Sequence, residues 1–130
     1  MCVPPSMVGQ VWPLVRHFIE AASRRTRALL MSGIDADLAA QRSLLWVAWD
    51  GAAFVAAGVT QLEPGDDGLS CRVVAAGGRS APDWRALMGG IETFARAEGC
   101  RRVRFEGRPG WRRVLPDFAA PRVVYEKELA

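Results

Sequence analysis

The spacing of apolar residues changes along the chain, and each change of period marks a predicted element. After Pro13, apolar residues such as Leu14 and Phe18 recur at helical spacing, which predicts a helix over residues 13–29 with the proline in its first turn. Asp35 is a residue type that caps helices, and it predicts a second, shorter helix through residues 37–41.

Three short apolar segments follow, separated by turn sequences. Asp50-Gly51 is a strong hairpin signal, and the sequence EPGDDG at residues 63–68 is a second turn. Because both connections are short, we expect the strands to form an antiparallel meander. The predicted strands are residues 43–49, 53–62 and 69–76.

Helical spacing returns in the second half of the chain. Ser80 fits an N-cap, Pro82 fits the first turn, and Gly99 fits the C-terminal end of a long helix. One apolar stripe runs along it, formed by Trp84, Leu87, Met88, Ile91, Phe94 and Ala95. A strand at residues 100–106 completes a strand–helix–strand unit, so we expect the third and fourth strands to be parallel.

These elements predict one α/β domain over residues 1–130, with a mixed sheet containing an antiparallel meander and one parallel crossover. A short helix or turn at residues 110–115 and a strand at residues 122–129 close the chain. The 130 residues, 50% hydrophobic and 24% charged, suffice for one core. This composition excludes a membrane span, a collagen, a coiled coil and a disulfide mini-protein.

The number and spacing of cysteines and histidines bear on whether the protein has disulfides or a metal site. The three cysteines contain no C-x-x-C pair, and His17 is the only histidine, so neither a disulfide framework nor a metal site is favoured. Cys71 and Cys100 stand at starts of predicted strands, where a small buried hydrophobe fits. The N-terminus lacks a basic segment followed by an apolar one, so we expect a cytoplasmic protein.

The order of these elements resembles the GCN5-related N-acetyltransferase (GNAT) superfamily over nearly the whole chain. The resemblance is carried by the hairpin sequence LLWVAWDG at residues 44–51, the helix at residues 84–99 and the C-terminal segments 106–118 and 122–129. It is similar above all to small, divergent GNAT-like proteins of bacterial and phage genomes. Order is stronger support for a fold than for an activity.

The resemblance implies that acetyl-CoA lies where the third and fourth strands splay apart. Strand carbonyls would hold its pantetheine arm, and backbone N–H groups before the long helix would hold its pyrophosphate. The cofactor-binding residues implied in this way are Val74, Ala75, Gly77, Gly78, Arg79 and Ser80. The glycine spacing departs from the family pattern, and Pro82 removes one N–H donor.

The resemblance also places Glu106 at the cleft, as the base that makes the acceptor amine neutral. Its structural alternative is a strand-end carboxylate paired with Arg104 or Arg108. The family's tyrosine acid has no counterpart in the closing helix, which offers Trp111 and Phe118 instead. Tyr125, on the last strand, is expected to be a packing residue and not the acid.

The favoured function is therefore acetyl transfer from acetyl-CoA to an amine of a small molecule or protein. The alternative is a GNAT-fold protein without catalysis that binds or assembles with a partner, including a second copy of itself. A weaker rival is nucleic-acid binding, based on six closely spaced arginines with Phe105 and Trp111 between them. These arginines are Arg101, Arg102, Arg104, Arg108, Arg112 and Arg113.

Overall fold

A computed structural model of the protein describes residues 1–23, 31–106 and 124–129. The helices are α1 (Val8–Ser23), α2 (Met31–Ala39) and α3 (Ala81–Ala97), and the strands are β1 (Leu44–Trp49), β2 (Phe54–Gly65), β3 (Gly68–Gly78), β4 (Arg102–Glu106) and β5 (Val124–Glu128). The strands form one sheet in the order β1-β2-β3-β4-β5. Among the five described strands, only β3 and β4 pair in parallel, which confirms the mixed α/β sheet with a parallel crossover.

Apolar side chains cover both faces of the sheet. On one face α3 packs through the predicted stripe, in which Leu87, Met88 and Ile91 are fully buried. On the other face α1 packs over β3 and β2, with Val15 and Ile19 fully buried, and α2 adds Ile34 and Leu38 to the same core. The sheet is therefore the middle layer between two helical layers.

The predicted N-cap of α3 and the predicted burial of Cys71 and Cys100 are both confirmed. The Ser80 hydroxyl accepts a hydrogen bond from the Asp83 N–H, as expected of the N-cap. Cys71 and Cys100 are buried free thiols. Burial raises the pKa of Cys71 to about 12, so this thiol stays protonated and packs as a hydrophobe.

The predicted start of the first helix is wrong. A 3₁₀ turn at Pro5–Met7 leads directly into α1, which begins at Val8 and holds Pro13 in its interior. An interior proline costs a helix one backbone hydrogen bond. Tertiary contacts offset that cost, because Val8 and Trp12 pack against the core under α1. Residues 24–29 of the predicted helix lie outside the described residues.

The predicted role of Asp35 as an N-cap is also wrong, because Asp35 lies inside α2. Its carboxylate accepts hydrogen bonds from Trp12 Nε1 at 2.8 Å and from Arg16 Nε at 3.0 Å. Hydrogen bonds from Arg16 hold the pKa of Asp35 below its ordinary value. The ion pair with Arg16 makes the Asp35 carboxylate a link between α2 and α1. Arg16 also pairs with Glu20 within α1.

The second hairpin is tighter than predicted. β2 extends to Gly65 and β3 begins at Gly68, so only Asp66 and Asp67 form the turn that was expected over residues 63–68. Gly68 has a φ of +123°, in the region that glycine tolerates. The Asp67 carboxylate fixes the turn through a 2.6 Å ion pair with Arg102.

The end of β3 also differs from the prediction, because Gly77 and Gly78 belong to the strand and not to the following loop. A Cβ on Gly77 would lie 2.2 Å from the carbonyl oxygen of Phe18 in α1. A Cβ on Gly78 would lie 3.0 Å from the Ala56 Cβ. The two glycines let β3 fit closely between its neighbours.

A short edge segment was not predicted. Cys2 forms an antiparallel bridge with Trp46, and the Val3 N–H donates to the Leu45 carbonyl at 2.8 Å. The Val47 N–H donates to the Met1 carbonyl at 3.0 Å. These bonds satisfy part of the outer edge of β1.

Among the described helices, none combines the length and hydropathy needed to cross a bilayer. The predicted element at residues 110–115 and the start of the last strand at residues 122–123 lie outside the described residues.

We expect Gly77→Ala to lower the free energy of unfolding by about 3 kcal/mol, because the added methyl overlaps the Phe18 carbonyl. Gly89→Ala is the matched control in α3. Nothing lies within 4 Å of its Cβ position, so it should raise stability by about 1 kcal/mol. Urea unfolding measures both, and a similar effect at the two positions would contradict the close packing of α1 on β3.

Candidate functional site

The sheet opens between the C-terminal ends of β3 and β4. Their parallel pairing ends at Arg72↔Arg104, although β3 continues to Gly78. β4 stays paired with β5 up to Glu106↔Val124, so its last two residues pair with β5 but not with β3. Openings at the carboxyl ends of parallel strands are where α/β folds bind ligands.

A β-bulge in β3 lies at this opening. Val59 pairs with Ala75 and Thr60 pairs with Val73, so Val74 is an extra residue between them. A bulge bends its strand and redirects local backbone groups, and such bulges are common beside active sites. Val74 and Ala75, expected to hold a pantetheine arm, thus stand where the strands begin to separate.

Aromatic packing closes the α3 side of the opening. Val73 and Phe105 are buried, and the rings of Trp84 and Phe105 lie 6.1 Å apart between their centroids. Val74 is only half-buried, on the face opposite α3. Among the described residues, buried side chains thus fill the α3 side of the opening, whereas Val74 on the α1–α2 face is only partly covered.

The four residues Gly77, Gly78, Arg79 and Ser80 connect this opening to the amino end of α3. The Arg79 N–H donates to the Val55 carbonyl at 2.9 Å, which fixes the backbone after the glycines. The exposed Arg79 side chain lies near the β1–β2 turn. There the pKa of Asp50 is lowered by hydrogen bonds from the Ala53 and Ala52 N–H groups and, more weakly, by Arg79.

The first turn of α3 uses several of its own donors. The Asp83 N–H donates to the Ser80 hydroxyl at 3.4 Å, and the Trp84 N–H donates to the Ser80 carbonyl at 3.1 Å. The Ser80 hydroxyl donates in turn to the Asp83 carboxylate at 2.8 Å. Pro82 has no N–H. An anion here would meet the Arg79 cation and the helix dipole, but also the Asp83 carboxylate.

Glu106 is the last residue of β4, two residues beyond the last β3–β4 pair. Its backbone thus stands on the β4 side of the opening, across from the bulged part of β3. Arg108, Trp111 and Phe118 lie outside the described residues.

The other singled-out residues lie apart from this opening or already have structural partners. His17 is exposed on α1, with its ring against Phe18. Arg102 pairs with Asp67 and Glu128, so one arginine of the basic segment ties strands together. Within residues 1–23, 31–106 and 124–129, no group of three His, Cys, Asp or Glu side chains is arranged to hold a metal ion.

Sequence reasoning missed Asp83 and the bulge at Val74. The pattern Ser80-Ala-Pro-Asp83 matches a capping box with aspartate in place of glutamate, so Asp83 had a local signal. The bulge had none, because it depends on how β2 and β3 align across the sheet.

Comparison with known proteins gives similarity in structure alone. No protein-family model matches the sequence, and no curated protein matches it. A GNAT family acetyltransferase from Brucella melitensis, solved in complex with acetyl-CoA, aligns with a TM-score of 0.63 and 19% identity over 93% of this chain and 83% of that one. The IAA acetyltransferase from Bacillus cereus aligns with a TM-score of 0.68 and 12% identity over 99% and 97% of the two chains.

An N-acyl amino acid synthase from uncultured soil microbes aligns with a TM-score of 0.70 and 11% identity over 98% of this chain and 93% of that one. At these identities the likeness concerns the fold, and it extends over most of each chain. The chain has the fold of the GCN5-related N-acetyltransferase superfamily.

Proposed function

We propose that this protein is an acyl-CoA-dependent N-acyltransferase that moves an acetyl group from acetyl-CoA to an amine of a small molecule or protein. The observation that carries the proposal is the opening between β3 and β4, with its bulge at Val74. An extended thioester arm fits such an opening, because the end of β3 lacks β4 pairing and has backbone groups to offer. The acetyl-CoA complex of the Brucella fold neighbour supports the choice of donor.

The transfer needs three events at the thioester carbonyl. The amine nitrogen forms a bond to the carbonyl carbon and loses a proton, the C–S bond breaks, and the CoA thiolate leaves and is protonated by water. We assign the proton acceptor to Glu106, at the β4 side of the opening. We assign binding of the pantetheine arm to the backbone at Val74 and Ala75.

We assign the phosphate end of the donor to the segment from Gly77 to Ser80. Here Arg79 supplies the cation and the amino end of α3 supplies the helix dipole. The Arg79, Asp83 and Trp84 N–H groups already donate within the protein. Phosphate recognition would therefore depend more on the Arg79 side chain than on a nest of backbone amides.

The donor assignment predicts a thermal shift of the purified protein with millimolar acetyl-CoA. A ligand at about 100 times its dissociation constant stabilises a protein by roughly 2.7 kcal/mol, which is several degrees for this length. ATP is the polyanion control and should give a smaller shift. Equal shifts with both ligands would indicate only a basic surface.

The role of Arg79 predicts that Arg79→Ala weakens acetyl-CoA binding roughly fivefold, about 1 kcal/mol, because a charge near the phosphates is lost. Arg96→Ala is the control, because it removes the same charge from an exposed arginine in the last turn of α3, at the other end of the helix. Calorimetry measures both. Equal affinities of the two variants would remove Arg79 from the donor site.

The position of Asp83 predicts opposite effects on stability and affinity. Asp83→Asn should lower stability by about 0.5 kcal/mol, because a carboxylate in the first turn of a helix is favourable. It should raise acetyl-CoA affinity roughly fivefold at low salt, because that carboxylate repels the phosphates. Glu98→Gln, at the other end of α3, should leave the affinity unchanged; an unaltered affinity in both variants would place the phosphates elsewhere.

The assignment of Glu106 predicts that Glu106→Gln lowers turnover roughly 100-fold and shifts the rise of rate with pH to higher pH. Binding of acetyl-CoA should be retained. Glu98→Gln is again the control. A pH profile identical to that of the unaltered protein would leave Glu106 as a structural carboxylate.

The second candidate function is a GNAT-fold module that binds a protein partner without catalysis. The observation that favours it is the self-capped start of α3, where Ser80 and Asp83 bond to each other and Pro82 lacks a donor. Absence of any shift with acetyl-CoA would make this the better account.

A further inference from the structure

Two arginines stand side by side at the base of the opening. Arg72 of β3 and Arg104 of β4 are the last pair in register before the two strands separate. Val74, the bulged residue, lies two positions beyond Arg72. At about 3.3 Å per residue, Arg72 is roughly 7 Å along the strand from the bulge.

Both arginines belong to the face opposite α3. Their strand neighbours Cys71, Val103 and Phe105 are buried in the core under α3, and side chains alternate between the two faces of a strand. Gln61, the register partner of Arg72 on β2, bonds to Asp37 of α2 and confirms which face this is. The half-buried Val74 lies on this face as well.

The ion pair of Arg72 is easily exchanged. Its guanidinium lies 3.4 Å from the Glu63 carboxylate, with the Arg72 side chain 48% exposed, and such surface pairs contribute little stability. The register partner of Arg104 on β5 is Glu126. A ligand carboxylate replacing Glu63 at Arg72 leaves no buried charge unpaired.

Arg102 lies on the same face of β4 as Arg104, but its ion pairs are shorter than that of Arg72 and its side chain is less exposed. It lies two residue pairs farther from the opening and is held by Asp67 at 2.6 Å and Glu128 at 2.9 Å. Only 20% of its side chain is exposed. Arg102 thus has a structural role that Arg72 lacks.

We propose, on the basis of the function proposed above, that Arg72 and Arg104 bind a carboxylate of the acceptor and that the acceptor is an α-amino acid. Guanidinium groups bind carboxylates through paired N–H donors. An amine attacking a thioester at the bulge must have its carboxylate within a few bonds of the nitrogen to reach these arginines. An α-amino acid meets that requirement.

The test uses the full chain with acetyl-CoA and pairs of acceptors that differ in one group: free amino acids and their carboxamides. Acetyl-CoA binding is measured first by calorimetry. The proposal expects kcat/KM to be at least tenfold higher for the acids. It also expects Arg72→Gln to raise KM for the acids at least fivefold, with little change in kcat and little effect on the carboxamides.

Arg104→Gln should act in the same direction as Arg72→Gln. Arg102→Gln is the matched control, and it should lower thermal stability while preserving the preference for acids. Because Arg72 is exposed, its variant keeps the test valid if the Arg104 variant does not fold.

The possible results distinguish a failure of the proposed acyltransferase function from a failure of the acceptor assignment alone. If acetyl-CoA does not bind, the proposed function fails and this inference fails with it. If acetyl-CoA binds but carboxamides react as well as acids, or no amino acid is acetylated, only the acceptor assignment is overturned. A loss of kcat/KM in Arg72→Gln that is equal for acids and carboxamides also overturns it.

Discussion

The structure depends on how the carboxyl end of β3 is held. This strand pairs with β2 over its whole length but with β4 over only three residue pairs. At Gly77 the backbone of α1 lies directly against it, and at Gly78 Trp84 of α3 approaches from the other side. β3 is thus fixed by α1, β2 and α3. Beyond Arg72 no described strand pairs with its β4 side, so backbone groups there can bind a ligand without loss of the core.

The opening is asymmetric, and in the proposed function this asymmetry separates donor from acceptor. The α3 side is filled by apolar packing around Trp84 and Phe105, and α3 begins beside Arg79. The opposite face carries Arg72 and Arg104 below the bulge. In our account the phosphate end of acetyl-CoA lies at the start of α3, the thioester reaches the bulge, and the amine approaches from the α1–α2 face. In the same account the Asp83 carboxylate would repel the phosphates, so helix capping and donor affinity would compete at this residue.

Much of this fold could be predicted from local patterns. The turn at Asp50-Gly51 and the apolar stripe of α3 depend on residues near in sequence, and both led to the observed elements. The errors arose where distant contacts overrule local preference. Pro13 lies inside α1 because Trp12 and its neighbours pack onto the core, and Asp35 lies inside α2 because Arg16 and Trp12 bind its carboxylate.

The candidate site was harder to predict for the same reason. The bulge at Val74 and the end of β3–β4 pairing at Arg72 depend on how β3 aligns with its neighbouring strands. The sequence around these residues alone does not determine that alignment. Gly77 and Gly78 looked like a phosphate loop, yet packing alone requires them to lack a Cβ. The family resemblance directed attention to this region, and the structure supplied the strand geometry there.

The central claim is that an acyl-CoA thioester occupies the opening between β3 and β4. Amide hydrogen exchange of the intact protein, with and without saturating acetyl-CoA, tests it most directly. The account predicts slower exchange concentrated in residues 73–80 and 105–106, with the β1–β2 turn unchanged. Binding of acetyl-CoA that leaves exchange in residues 73–80 unaltered would contradict it.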